Sequence, residues 1–212
     1  MYSYSGLSLT EGKYGCWFKF YCRYVIQLQG IPGPALAFGK ACHAVIEHTI
    51  KAGDSEYLNI LSEVIASATD LDAAEIKKCV MQDAVYQAIV KGGEVETYFE
   101  MPLDDTPFSP CLRGYIDYYR HDSASIILTD WKTNQAAYEP LETHQLALYA
   151  AYLRDKYHLP VIGRLVFLRL NKTVEHAYSD LEIDQALQWA RETSYECEAR
   201  KQRVELGEDP LV

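Results

Sequence analysis

Positive charge is scarce in this chain. Across 212 residues, 20 Lys and Arg face 30 Asp and Glu, giving a formal net charge of −10 and a pI near 5.0. That balance argues against a protein that coats nucleic acid indiscriminately, because phosphate binding needs clustered cations. It is compatible with an enzyme built around a nest of carboxylates, whose bound cations offset part of their charge. The deficit is also uneven. In residues 1–50, Lys13, Lys19, Arg23 and Lys40 face only Glu11 and Glu47, which leaves room for a local positive rim. The segment Met1 to Thr10 has no charged stretch followed by an apolar run, so no signal peptide is read. No apolar stretch approaches the ~20 residues of a membrane span. The six cysteines (Cys16, Cys22, Cys42, Cys79, Cys111, Cys197) form no Cys-x-x-Cys pair. Scattered cysteines without a leader predict a cytoplasmic protein with reduced thiols. There is no internal repeat and no low-complexity tract. A Gly-x-x-x-x-Gly-Lys-[Ser/Thr] phosphate loop is also missing, which excludes a nucleotide-driven motor within this chain.

What is present suits a globular domain. Hydrophobic residues make up 49% and charged residues 24%, enough apolar surface for a core and too little charge for a disordered chain. Ser3, Ser5 and Ser8 can cap or precede a short helix. The run Gly30-Ile31-Pro32-Gly33-Pro34 predicts a loop, and Ala35 to Lys51 a helix ended by Gly53. Residues 54–91 read as further helix, with Asp70 as a cap for a helix running through Ile76, Val80 and Val85, stopped at Gly92-Gly93. The pattern then changes to alternation. Glu94 to Met101, Leu112 to Tyr119 and Ser125 to Trp131 predict three strands, the last two joined by a polar hairpin at residues 121–124. Glu142 to Tyr157 predicts a helix ended by Pro160. Arg164 to Leu170 predicts a strand pairing with Val174 to Ser179 across Asn171-Lys172. Asp184 to Val204 predicts a final helix capped by Asp184. We expect one α/β domain over residues 1–212, helical over about 1–92 and carrying the sheet over about 93–212.

The chemistry gathers in the strands. In Asp130-Trp131-Lys132, residues two apart share a face of the strand, so Asp130 and Lys132 project together and Trp131 points the other way. The apolar run Ile126-Ile127-Leu128 just before them marks a buried strand, where a charge is costly unless paired or bound to something. Asp117, in the preceding strand, can lie beside Asp130 if the hairpin closes over residues 120–124. Two converging carboxylates bind a hard divalent cation. Metal-bound water, a charge clamp on phosphate and a nearby lysine are the parts that phosphodiester hydrolysis needs. An Asp-x-Lys triplet alone carries little information; its place on a hairpin with Asp117 and Gly114 carries more. Two helical pairs add to it. His43 and Glu47 are four apart on one helix face, and so are Gln145 and Tyr149. An imidazole can ligate a metal and a carboxylate can support it. The plainer readings are a hydrogen-bonded surface histidine in one pair and a surface glutamine with a core tyrosine in the other.

Five segments in this order resemble the RecB-like branch of the PD-(D/E)XK nucleases over roughly residues 3–155. They are Tyr4-Ser5-Gly6-Leu7-Ser8 with Cys16 to Tyr24, Phe38-Gly39-Lys40-Ala41-Cys42-His43, Gly114-Tyr115-Ile116-Asp117, Asp130-Trp131-Lys132-Thr133, and Gln145-Leu146-Ala147-Leu148-Tyr149. The resemblance implies a restriction-endonuclease-like core, a central mixed β-sheet flanked by helices, with an N-terminal helical elaboration. It implies that His43, Asp117, Asp130 and the Trp131 backbone carbonyl ligate Mg²⁺ or Mn²⁺. Lys132 would serve the attacking water, and Gln145 and Tyr149 would support the site and the DNA backbone. Trp17 stands where the family signature has proline. Family members with an iron–sulfur cluster add a C-terminal cysteine group to a cysteine in the position of Cys16. Here only Cys197 follows, and a cluster needs about four thiolates. No iron–sulfur cluster is expected, whether the chain is a cluster-free member or stops short of that segment.

The function expected is therefore metal-dependent hydrolysis of DNA, by an exonuclease in repair, recombination or processing. Its substrate would be single-stranded or carry free ends, and a helicase or recombination partner could supply it. Rings around Trp17, Phe18 and Tyr21 suit base stacking or core packing. The alternatives are a catalytically silent nucleic-acid-binding or scaffold protein that keeps the fold, and a metal-dependent hydrolase of another substrate.

Overall fold

The computed structural model describes residues 1–10, 15–28, 30 and 33–209. The predicted cation Lys13 and two residues of the predicted loop, Ile31 and Pro32, lie outside the described residues. Among those described there are eight α-helices and five strands: α1 (Tyr4–Leu7), α2 (Trp17–Phe20), α3 (Pro34–Ala52), α4 (Tyr57–Ser67), α5 (Ala73–Val80), α6 (Asp83–Lys91), β1 (Glu94–Pro102), β2 (Cys111–His121), β3 (Ile126–Lys132), α7 (Gln145–Tyr157), β4 (Val161–Phe167), β5 (Lys172–Ala177) and α8 (Asp180–Glu205). The strands form one sheet in the order β1-β2-β3-β4-β5. β2–β3 and β4–β5 are antiparallel and β3–β4 is parallel, so the sheet is mixed, as expected. The parallel pair follows from the crossover: β3 returns to β4 through α7, as a parallel connection requires. No described helix is long and apolar enough to cross a membrane.

The chain divides into two compact units. One comprises Pro32–Thr97 and Tyr115–Ser179, the other Met1–Ile31, Tyr98–Gly114 and Asp180–Val212. In the first unit, one face of the sheet presents Tyr118, Trp131 and Val166 to a core built with Phe38, Val45 and Ile46 of α3, Leu61 of α4, Ile76 and Val80 of α5, and Val85 and Ile89 of α6. The opposite parity of β3, Ile126, Leu128 and Asp130, is equally buried. A strand buried on both faces explains why Ile126-Ile127-Leu128 reads as a continuous apolar run. Where α6 meets β1, the chain turns through Gly92 (φ +63°) and Gly93 (φ +154°). A Cβ on Gly93 would lie 2.7 Å from the Tyr119 carbonyl oxygen, so glycine is required there.

In the second unit, Ser3 caps α1 by accepting from the Gly6 N–H, as its position predicts. α2 runs into a π-helical turn over Tyr21–Val25. Trp17 and Phe20 are buried and stacked at 5.1 Å, whereas Phe18 is exposed. Trp17 and Phe20 therefore pack in the core. Lys201 of α8 lies 4.5 Å from the Tyr2 ring and donates to its hydroxyl at 2.8 Å. All six cysteines are free.

Three local expectations are corrected. Asp72, not Asp70, caps α5, accepting from the N–H groups of Ala74 and Glu75. That helix does not continue to Val85: it ends at Val80, and Gln82 in extended backbone starts α6. Asp184 lies inside α8, which begins at Asp180. Polar residues at two-residue spacing compete for one cap, and spacing alone does not choose between them.

Candidate active site

All the candidate residues of the hydrolytic site sit in the first unit. The site grows from a fork in the sheet. The β2–β3 ladder pairs His121 with Ile126 and runs down to Tyr118 with Thr129, where it stops. Past that point the Trp131 N–H has no main-chain partner in β2. The Asp117 carboxylate takes it instead, accepting through Oδ2 at 2.9 Å. The Trp131 carbonyl accepts from Nε2 of His43 at 2.8 Å. The main chain at Trp131 is thus held by β2 through its N–H and by α3 through its carbonyl. Gly39, one turn before His43, brings α3 close to the segment after β3: a Cβ there would meet Thr133 Oγ1 at 3.2 Å.

With Nε2 engaged, His43 turns Nδ1 toward carboxylates. It lies 3.7 Å from Asp117 Oδ2 and 4.0 Å from Glu96 Oε1. One ligand atom from each of His43, Glu96 and Asp117 falls within 4.8 Å of the others. Glu96 is the residue that motif reasoning missed. In sequence it is one polar position of an alternating strand. In the structure its backbone is left-handed, φ +46°, which is rare for a side chain of this kind and turns the carboxylate toward His43. Glu47, the expected companion of His43, pairs with Lys51 at 2.6 Å instead, although it still lines the same cleft.

Asp130 is 2% exposed. Its Oδ2 forms a close ion pair with Lys132 Nζ at 2.6 Å. Lys132 donates to Gln145 Oε1 at 2.8 Å, and Gln145 Nε2 donates to the Tyr149 hydroxyl at 3.1 Å. The four-residue spacing in α7 thus makes a relay that fixes the lysine head. Lys132 and Asp130 share a strand face as the two-residue period requires, and Trp131 packs on the other face.

The electrostatics show a surplus of negative charge. Burial, then the neighbouring Asp130, pushes the Asp117 carboxyl up from its ordinary 3.8 to about 7, although His43 and the Trp131 N–H pull it down. Burial opposes a charge on His43, but Glu96, Asp117, Asp130 and the Trp131 carbonyl outweigh it, and the imidazole rises to about 9. Burial likewise opposes the Lys132 ammonium, and Asp130 beside it more than compensates, so the lysine stays charged. Burial first, and Asp130 second, push the Tyr149 hydroxyl well above its ordinary value. A cleft of about 520 Å³ opens over these groups, lined by Lys40, His43, Glu96, Asp117, Lys132 and Asn134 among others.

A divalent cation fits this set. One imidazole nitrogen and two carboxylate oxygens, from His43, Glu96 and Asp117, converge; Asp130, ion-paired with Lys132, is not brought into that group. Oxygen-rich sites with one nitrogen suit hard to borderline divalent ions.

Comparison with known proteins agrees with this geometry. Residues 7–209 match the family model of the PD-(D/E)XK nuclease superfamily. A "putative exonuclease" from Eubacterium rectale, of known crystal structure, shares the fold with a TM-score of 0.61 at 11% identity, over 92% of this chain and 79% of that one. A second crystal structure, of the protein SSO0001, aligns at a TM-score of 0.37 and 14% identity over 84% of each chain, too low to inform the fold. No curated protein matches the sequence. With a family match over nearly its whole length and a mixed sheet that carries an acidic cluster at a fork, the chain belongs to the PD-(D/E)XK nuclease superfamily.

Proposed function

We propose that this protein is a Mg²⁺- or Mn²⁺-dependent deoxyribonuclease of RecB-like type. It acts as an exonuclease on single-stranded or free-ended DNA in repair, recombination or processing. The observation that carries the reading is the pair of bonds on Trp131: N–H to Asp117 and carbonyl from His43. They join the strand bearing Asp130 and Lys132 to the carboxylate and imidazole that the sequence motifs single out. His43, Asp117 and Asp130 hold the metal, with the Trp131 carbonyl beside them; we add Glu96 to the set. When bound, the metal supplies a water nucleophile and charge stabilisation at the phosphate.

The remaining steps belong to the chain. A lysine held charged in the free protein is poorly suited to accept the water's proton. It is well suited to orient the water and to stabilise negative charge growing on the phosphate. Gln145 and Tyr149 hold the Lys132 head in place so that little reorganisation is needed during reaction. A helicase or recombination partner that delivers DNA ends is consistent with the chain's net charge of −10, because the domain itself offers few cations for phosphate contacts.

The test is digestion of end-labelled single- and double-stranded linear DNA and a closed circle, with Mg²⁺, Mn²⁺ or EDTA, beside Lys132→Ala. We expect metal-dependent cleavage of the linear substrates, an intact circle, and a loss of about 10²-fold or more in the variant. A cut circle would replace exonuclease by endonuclease action. Undiminished cleavage by Lys132→Ala would reject the site. A folded, metal-binding protein that cuts nothing would favour a silent binding scaffold.

A further inference from the structure

The other face of the catalytic strand also lines a cavity. It holds about 220 Å³, roughly seven water volumes at about 30 Å³ each. Its floor is Thr129 and Trp131 of β3 with Tyr118 of β2, and α6 forms one wall. Trp131 therefore borders both the metal cleft and this second cavity.

Three cations face it: Lys91 from α6, Arg120 from β2 and Arg164 from β4. Two carboxylates, Asp83 and Glu175, also line it. Glu175 forms an ion pair with Nε of Arg164 at 2.6 Å. No described carboxylate lies within 4.0 Å of a nitrogen on Lys91 or Arg120. Register places Arg120 opposite Ile127 and Arg164 opposite Thr129, on the two strands that flank β3. Two strand spacings are about 10 Å, a gap that two long guanidinium side chains on one face can close around a single anion. Glu175 offsets one of the three cations, which leaves Lys91 and Arg120 at the cavity without a described carboxylate partner and free to hold an anion. The Thr129 and Thr173 hydroxyls on the walls add donors for an anion with several oxygens.

We propose that this cavity is a binding site for a phosphate group, held by Arg120, Arg164 and Lys91 on the Tyr118 and Trp131 face of the sheet. The phosphate is either free or carried by a mononucleotide. Duplex DNA is too large for the space, and a carboxylate offers fewer oxygens than the donors present. The site does not depend on the nuclease reading.

Calorimetric titration in EDTA, which removes metal from the first site, tests it with inorganic phosphate, thymidine 5′-monophosphate and thymidine. Inorganic phosphate should bind, and thymidine should not. Tighter binding of the monophosphate than of phosphate would identify the nucleotide as the source; equal binding would identify free phosphate. Arg120→Met and Arg164→Met should each weaken binding about tenfold or more. Thr173→Glu, an exposed wall position, should weaken it by repulsion without touching a cation, and Lys132→Ala should bind as the unaltered protein does. Absence of binding, binding retained in both arginine variants and Thr173→Glu, or loss in Lys132→Ala would overturn the proposal.

Discussion

Replacing Asp117 by asparagine should make the metal-free protein more stable while removing its response to metal. Asp117 is pushed from an ordinary 3.8 to about 7 by burial and by Asp130. The folded state therefore holds the proton more tightly than the unfolded chain. The stability linked to it is fully present below about pH 4 and is lost as the pH climbs through about 7. At pH 8 the carboxylate is ionised against its surroundings. Three units at 1.36 kcal/mol each set an upper limit of about 4 kcal/mol. That limit already contains the pull of His43, 3.7 Å away; in the variant the imidazole loses this partner, which leaves about 1–3 kcal/mol for asparagine to gain. Asparagine still offers an oxygen to the Trp131 N–H, so the fork in the sheet is kept. For a domain of this size the gain corresponds to a rise in Tm of about 2–10 °C. Thermal unfolding followed by circular dichroism, at pH 5.5 and pH 8 in EDTA, should show the larger difference at the higher pH. Added Mn²⁺ should then raise the Tm of the unaltered protein and leave the variant's unchanged. A variant that melts below the unaltered protein at pH 8 in EDTA, or one that Mn²⁺ stabilises equally, would refute the argument that these carboxylates are held in repulsion for a cation.

Three further outcomes are expected. Glu96→Gln should weaken Mn²⁺ binding about 10–100-fold by calorimetry with the fold intact; unchanged affinity would return Glu96 to an ordinary strand position. Gln145→Ala should lower kcat about tenfold with little change in KM, because it removes the acceptor that fixes Lys132; a rise in KM at constant kcat would instead mean direct substrate contact. Gly93→Ala should destabilise the fold by about 1–3 kcal/mol in denaturant unfolding, since the new methyl meets the Tyr119 carbonyl and the Tyr118 ring. A neutral result would mean that β1 can shift against β2.

Much of this site was legible because its parts are short-range. Asp130 and Lys132 share a face through the two-residue period, His43 follows Gly39 by one helical turn, and Gln145 meets Tyr149 through the four-residue spacing. Their order along the chain agrees with the mixed sheet that the resemblance implied, in which α7 joins the parallel pair β3 and β4. The ends of elements were less legible. Asp70 and Asp72 offer the same capping chemistry, and only the backbone at Asp72, extended with φ −72° and ψ 104°, decides between them. Asp184 looks like a cap in sequence, yet α8 starts four residues earlier, where Asp180 supplies the same acidic first turn.

Glu96 was illegible for a different reason. Alternation places Glu94, Glu96 and Glu100 in one polar series, and nothing in their chemistry separates them. Glu100 donates no such surprise: it is exposed and accepts from Tyr98 at 2.8 Å. Glu96 differs only in its backbone, which leaves the strand region at φ +46°. An unfavourable backbone conformation persists when its surroundings over-determine it, and such residues gather at functional sites. The same holds for the raised carboxyl of Asp117. Backbone strain and a displaced pKa are two separate costs. They fall on Glu96 and Asp117, whose carboxylates converge with His43, and a bound divalent cation would relieve the electrostatic one. That coincidence, which no single motif encodes, is the physical case for Glu96 as part of the metal set and for a site kept in tension until the metal arrives.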